Sequence, residues 1–200
     1  MTLLRSAFWL VLLATLLYGA LHSALAAQPV KDFARSRVGD QRFAYYHFAY
    51  NLIAGLTLLP LAALVLLLPD RILYRIPAPW IYLTLALQGG LLVCALLAYR
   101  QSRPVELFSL RRTTENTPLL TTGFYSLSRH PLYLFGILLM ALFPYVTANL
   151  LGLFLGFALY ILVGSRLEER RLLREHGEQY RAYMRATPWI FPNPLKLLRK

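Results

Sequence analysis

Acidic residues are scarce in this chain: nine Asp and Glu stand against 21 Lys and Arg in 200 residues, for a formal net charge of +12. Charge of either sign is thin, at 15% of residues, whereas 58% are hydrophobic and fall in long uncharged runs rather than short amphipathic stretches. That balance describes an integral membrane protein, and the runs leave no room for a separate soluble catalytic domain. Any chemistry must therefore use the helices and their loops. There is one cysteine, Cys94, and it sits in an apolar run, which excludes an intrachain disulfide and a cysteine metal cluster. No GxGxxG follows a strand pattern, so the dinucleotide fingerprint of a Rossmann domain is missing too.

The basic excess has a simple reading in a membrane, because cytoplasmic loops are enriched in Lys and Arg. With five spans and an external N-terminus, every Lys and Arg except Arg5, Arg71 and Arg75 falls on the cytoplasmic side. This topology accounts for the charge without nucleic acid, and such a basic flank also favours anionic lipid. The expected partners are the bilayer and a small ligand. Composition says nothing of oligomeric state.

The fold expected is all-α, a single membrane domain over residues 1–200 with about five transmembrane helices at 3–27, 44–68, 80–99, 131–143 and 146–165. The first run resembles a secretory signal around residues 25–27, yet it is long enough to span, and its removal would place the basic segment 31–42 outside. A retained helix is expected. His22 lies near its cytoplasmic end, and an ionisable residue there is either a functional group or an interfacial one that touches water. Segment 28–43 reads as a polar cytoplasmic loop. The second span opens on Tyr45, Tyr46, His47, Phe48 and Tyr50, an interfacial aromatic belt. Asn51 follows, a carboxamide that must find a helix or a ligand as partner. Pro69-Asp70-Arg71 and Pro77-Ala78-Pro79 bracket a short outer connection. Residues 100–127, with Glu106 and Glu115, form a turn-rich cytoplasmic loop placed to act as a lid or entry wall.

That loop leads into Ser126–Gly136, SLSRHPLYLFG, where a helix start is expected at Pro131. Free backbone N–H groups, the positive end of the helix dipole, and the Arg129 and His130 side chains then meet in one small volume that suits an anion. Tyr133 and Gly136 follow His130 at helical spacing, giving a donor, a ring and a gap along one face. From Pro131 to Ser165 there are 35 residues without a charge, broken at Phe143-Pro144-Tyr145. Two straight spans need about 40 residues, so a tight helical hairpin with a short or tilted first arm is expected. Gly152 and Gly156 form a GxxxG that permits close helix contact. The hairpin returns the chain to Glu168-Glu169, beside the place it left. This pair could be a solvated face, since Arg171 and Arg166 lie three residues away. Alternatively, a carboxylate here accepts from an amine while the His130 helix end takes a carboxylate, the two charges of an amino-acid moiety. An amphipathic cytoplasmic C-terminal helix with Leu172, Leu173, His176, Tyr180, Tyr183 and Met184 completes the tail, 166–200.

Taken in order, RHPLYLFG, EER, HGEQYRAY and PWIFP resemble the integral-membrane methyltransferases of the isoprenylcysteine carboxyl methyltransferase and phospholipid methyltransferase superfamily. The likeness covers residues 123–192. The family's glycine usually comes two residues after the tyrosine, whereas Gly136 comes three after Tyr133. The first half, with LHSALAA and YN after a basic loop, is similar to the bacterial branch that includes methanethiol S-methyltransferase. The resemblance implies S-adenosylmethionine as cofactor, with His130, Tyr133, Gly136, Glu168, Glu169, Tyr180 and Tyr183 in contact with it. It implies an acceptor that is small or lipid-soluble, a thiol, carboxylate or amine methylated at the cytoplasmic face of a bacterial inner membrane. Arg129 and Glu169 are the candidate catalytic residues, Glu169 as base if the acceptor must lose a proton. His22 and Asn51 are the candidates for the acceptor side, and no metal ligands are expected. Two other readings compete: a non-catalytic membrane scaffold with a degenerate pocket, and a haem-binding protein using His22 and His47.

Overall fold

The computed structural model describes residues 7–43, 45–102 and 118–192. Expectations placed on 1–6, 44, 103–117 and 193–200, among them most of the 100–127 loop with Glu106 and Glu115, lie outside the described residues. The elements are α1 (Phe8–Ala26), α2 (Gln28–Phe43), α3 (Tyr46–Leu67), β1 (Ile72–Arg75), α4 (Trp80–Gln101), α5 (Phe124–Leu127), α6 (Pro131–Ala141), β2 (Tyr145–Thr147) and α7 (Ala148–Ala186). Four of them, α1, α3, α4 and α7, are long and apolar enough to cross a membrane. The chain is an integral membrane protein. Outward leucines such as Leu66 and Leu67 are about four-fifths exposed, a face that only hydrocarbon solvates well.

Two expectations change. Segment 28–43 is not an irregular loop but helical as α2, with a break at Gly39, where φ is 77°; polarity alone does not break a helix, and Pro29 stands in its first turn, where proline is tolerated. α6 starts at Pro131 as expected, with His130 at its N-cap, but its 11 residues reach about 16 Å, short of the ~30 Å hydrocarbon core. It is thus a short apolar helix, counted apart from the four long ones, and the expected C-terminal helix is the continuation of α7.

The described residues form two compact units, 7–75 with 145–160, and 76–102 with 118–144 and 161–192. In the first, α1 packs on α3, and β1 pairs antiparallel with β2, Ile72 opposite Thr147 and Arg75 opposite Tyr145. The pairing satisfies backbone groups of the connection between α3 and α4 that no helix satisfies. Thr147 caps α7, its Oγ1 accepting from the Leu150 N–H at 3.2 Å, and the Asp70 carboxylate accepts from the Asn149 N–H at 2.9 Å. The GxxxG expectation is met against α1: a Cβ on Gly152 would lie 2.7 Å from the Phe8 carbonyl oxygen, and one on Gly156 would lie 2.6 Å from the Thr15 Cβ. In the second unit α4 packs on α6, and the Gln88 side chain donates to the Leu139 carbonyl at 3.3 Å.

Gly156→Ala or Gly152→Ala should cost about 1–3 kcal/mol through overpacking against α1, whereas Gly89→Ala, which meets nothing within 4 Å, should be near neutral. Thermal midpoints of the detergent-purified variants check this, and equal midpoints for the three would refute the close packing.

Candidate functional site

In the second unit the loop before α6 and the polar half of α7 meet through charge. An Arg129 guanidinium nitrogen lies 2.7 Å from Glu169 Oε1, with the two side chains 9% and 5% exposed. Arg166 stands 3.5 Å from the other Glu169 oxygen, and its guanidinium lies 3.6 Å from the centre of the Trp189 ring. The chain end pins the same loop: the Arg129 N–H donates to the Pro188 carbonyl at 3.0 Å, and the Ser128 hydroxyl donates to the Trp189 carbonyl at 3.2 Å. Ser128 Oγ in turn accepts from the His130 N–H. The loop backbone is therefore held from two sides, which fixes where α6 begins.

His130 stacks on Tyr133, ring centres 5.3 Å apart and nearly parallel, and the Tyr133 hydroxyl donates to Glu168 Oε2 at 3.1 Å. The imidazole stands 3.6 Å from Glu168 and 3.5 Å from Glu169, too far for hydrogen bonds. Burial, with the positive Arg129 and Arg166 nearby, pushes the His130 pKa from 6.5 down to about 4. The ring is neutral at neutral pH, and the two carboxylate contacts are not ion pairs.

A cleft of about 250 Å³ opens here, lined by Arg129, His130, Glu168, Tyr180 and Tyr183 together with Tyr125, Leu172, His176 and residues of 118–120. Glu168 faces the cleft with its side chain 38% exposed, whereas Glu169 is buried in its pair with Arg129 and is not among the lining residues. Gly136 does not line the cleft either, and a Cβ there would meet nothing within 4 Å. Tyr180 and Tyr183 reach the cleft after α7 breaks at Gly177, whose φ of 51° is a conformation that suits glycine. The Tyr183 hydroxyl donates to the Tyr125 carbonyl. Buried polar atoms remain without a hydrogen-bond partner at Arg129 Nε, His130 Nε2 and the Tyr180 hydroxyl. Opposite charges, two tyrosine rings and unspent donors suit a ligand that carries both charges and an aromatic part.

His22 lies in the first unit, where the Tyr50 hydroxyl stands 2.5 Å from Nε2 and Tyr18 stacks on the ring. Asn51 is exposed on α3. Sequence reasoning did not give Trp189, Arg166 and Tyr125 their places in the second unit, nor Tyr18 and Tyr160 theirs around His22. PWIFP was visible as a motif, but nothing in the string says that its tryptophan lies on an arginine. Among the described residues no group of three His, Cys, Asp or Glu is placed to hold a metal.

A family model described as "Protein of unknown function (DUF1295)" matches residues 80–187, more than half of the chain. Curated relatives include methanethiol S-methyltransferase of Crocosphaera subtropica, 38% identical over 95 residues that cover 44% of this chain and 37% of that protein. The protein of the same name from Pseudomonas deceptionensis is 33% identical over 99 residues, 50% of this chain and 34% of the relative. That from Mycobacterium tuberculosis is 36% identical over 97 residues, 44% and 40% respectively. The chain thus matches little more than a third of the length of these relatives. No solved structure matches.

Glu169→Gln should destabilise the protein by about 3–5 kcal/mol, because it leaves the buried Arg129 charge uncompensated. Glu168→Gln, at a part-exposed position, should cost far less, and a comparison of thermal midpoints checks the order. The His130 shift has its own sign: a pKa lowered in the fold adds stability that is complete above about 6.5 and is lost as the pH falls toward about 4. His130→Gln should flatten the stability profile over that window, and a profile as steep as that of the parent would contradict the neutral buried ring.

Proposed function

The chain belongs to the DUF1295 family, and from that premise we propose that it is an S-adenosylmethionine-dependent membrane methyltransferase of the isoprenylcysteine carboxyl methyltransferase-like type. Its acceptor is a small or lipid-soluble thiol, carboxylate or amine, methylated at the cytoplasmic face of a bacterial inner membrane, with the N-terminus outside and the C-terminus in the cytoplasm. The observation that carries the reading is the cleft, whose lining brings together Arg129, His130 at the N-cap of α6, the Glu168 carboxylate, Tyr180 and Tyr183. The names of the curated relatives agree with methyl transfer and do not favour a scaffold or a haem protein.

The residues fit the cofactor. Arg129 would hold its carboxylate, Glu168 its ammonium, and the two tyrosines its adenosine part. When bound, it supplies an electrophilic sulfonium methyl group. The protein's share is to position and to exclude water: the buried Arg129–Glu169 pair keeps the guanidinium fixed, and the neutral His130 ring packs on Tyr133 without adding charge. Glu168 is the carboxylate within reach of the cleft. Glu169, the base favoured on sequence grounds, can act in that way only where Arg129 releases it.

Calorimetric titration of S-adenosylmethionine and of its demethylated product into the detergent-purified protein tests this. Both should bind, and Glu168→Gln combined with Tyr180→Phe should weaken them by about tenfold or more, the value of a lost charge-assisted hydrogen bond. Absence of binding by the folded protein would overturn the assignment.

A further inference from the structure

The first unit holds a cleft of about 350 Å³ between α1 and α3, within the size range of small-molecule sites. Its wall is aliphatic, with leucines from both helices and Pro60, and among the described residues no charged one lines it. Three lining side chains carry polar atoms, Tyr18, His22 and Thr57. Two of these are spent on backbone: the Thr57 hydroxyl donates to the Ile53 carbonyl at 2.7 Å, and the Tyr18 hydroxyl to the Ala54 carbonyl at 3.4 Å. His22 differs. Its two ring nitrogens meet the same Tyr50 hydroxyl, at 2.5 and 3.2 Å, and one hydroxyl can satisfy only one of them well. The imidazole keeps one hydrogen-bonding nitrogen in reserve.

The ring is also held in place by a built surround. Tyr18 stacks on it at 5.9 Å, and Tyr160 meets it edge-on at 6.3 Å. Space for Tyr160 is made by Gly19, where a Cβ would come within 2.5 Å of the tyrosine ring, and the Ser23 hydroxyl donates to the Tyr160 hydroxyl at 3.2 Å. A plain lipid-facing groove needs none of this. Charge selects the occupant: among the described residues no carboxylate lines the cleft to hold a cation, and no Lys or Arg to hold an anion.

We propose that this cleft binds a single-chain, lipid-soluble molecule with an uncharged, hydrogen-bonding head, the chain lying along α1 and α3 and the head on His22. Binding does not depend on the methyl-transfer reading.

The test uses the full chain in lipid nanodiscs and three photoreactive probes that share one diazirine-bearing alkyl chain and end in an alcohol, a carboxylate or a trimethylammonium group. Labelled peptides are mapped by mass spectrometry. The alcohol should label residues 14–25 and 53–64, excess unlabelled alcohol should displace it, and both charged probes should label these segments about tenfold less, the ratio that ~1.4 kcal/mol of discrimination gives. His22→Phe should bring the preference close to unity, and His22→Gln, which retains a hydrogen-bonding group, should restore part of it. Ala54→Phe, which fills the cleft, should abolish labelling there with an unchanged thermal midpoint. Equal labelling by all three heads, labelling no stronger than that of α4, or a preference that survives His22→Phe would overturn the proposal. Calorimetric cofactor binding on the same preparation separates the two readings: retained binding with unselective labelling sinks the cleft and leaves methyl transfer standing.

Discussion

The buried pair of Arg129 and Glu169 is the contact on which the candidate site depends. Neither charge is tolerable alone where both side chains are almost wholly covered, so the loop before α6 and the polar half of α7 are obliged to meet. Other contacts follow from that obligation. With Arg129 held, His130 falls at the N-cap of α6, its ring on Tyr133, and the Pro188 and Trp189 carbonyls accept from the same loop. Such a pair adds little net stability over apolar packing, but it penalises every arrangement in which its members part. Its value here lies in specifying one geometry.

Two clefts with opposite inventories occur in this small chain. One gathers a guanidinium, a carboxylate, a neutral imidazole and tyrosine rings. The other is aliphatic and carries a single adaptable polar group, the His22 imidazole. What each can hold follows from desolvation: a zwitterionic ligand needs partners for both charges, and an apolar one needs their absence.

The membrane sets the remaining constraints. Hydrocarbon does not drive helices together as water does, so close contact has to come from shape. Gly152 and Gly156 provide it, admitting the Phe8 and Thr15 region of α1 within the reach of a single missing methyl group. Between α3 and α4 the backbone is not helical and must find its bonds elsewhere, and the short β1–β2 ladder and the Asp70–Asn149 contact supply them.

The amino-acid string by itself determined the membrane class, the approximate places of the long apolar helices, the start of α6 at Pro131 and the glycine contact in α7. These follow from composition, from runs of uncharged residues and from the backbone chemistry of single residues, all of them local. It also named the chemical groups of the candidate site, because RHP, the double glutamate and the paired tyrosines are legible as motifs. Only the tertiary structure decided which glutamate is buried and which faces the cleft, since adjacent residues of a helix point about 100° apart and the string does not say which way is inward. The helical character of 28–43, the β1–β2 pair and the seat of Arg166 on Trp189 were likewise decided there. Each rests on partners distant in sequence, or on how far a helix runs before packing ends it, and a string of residues carries no distances.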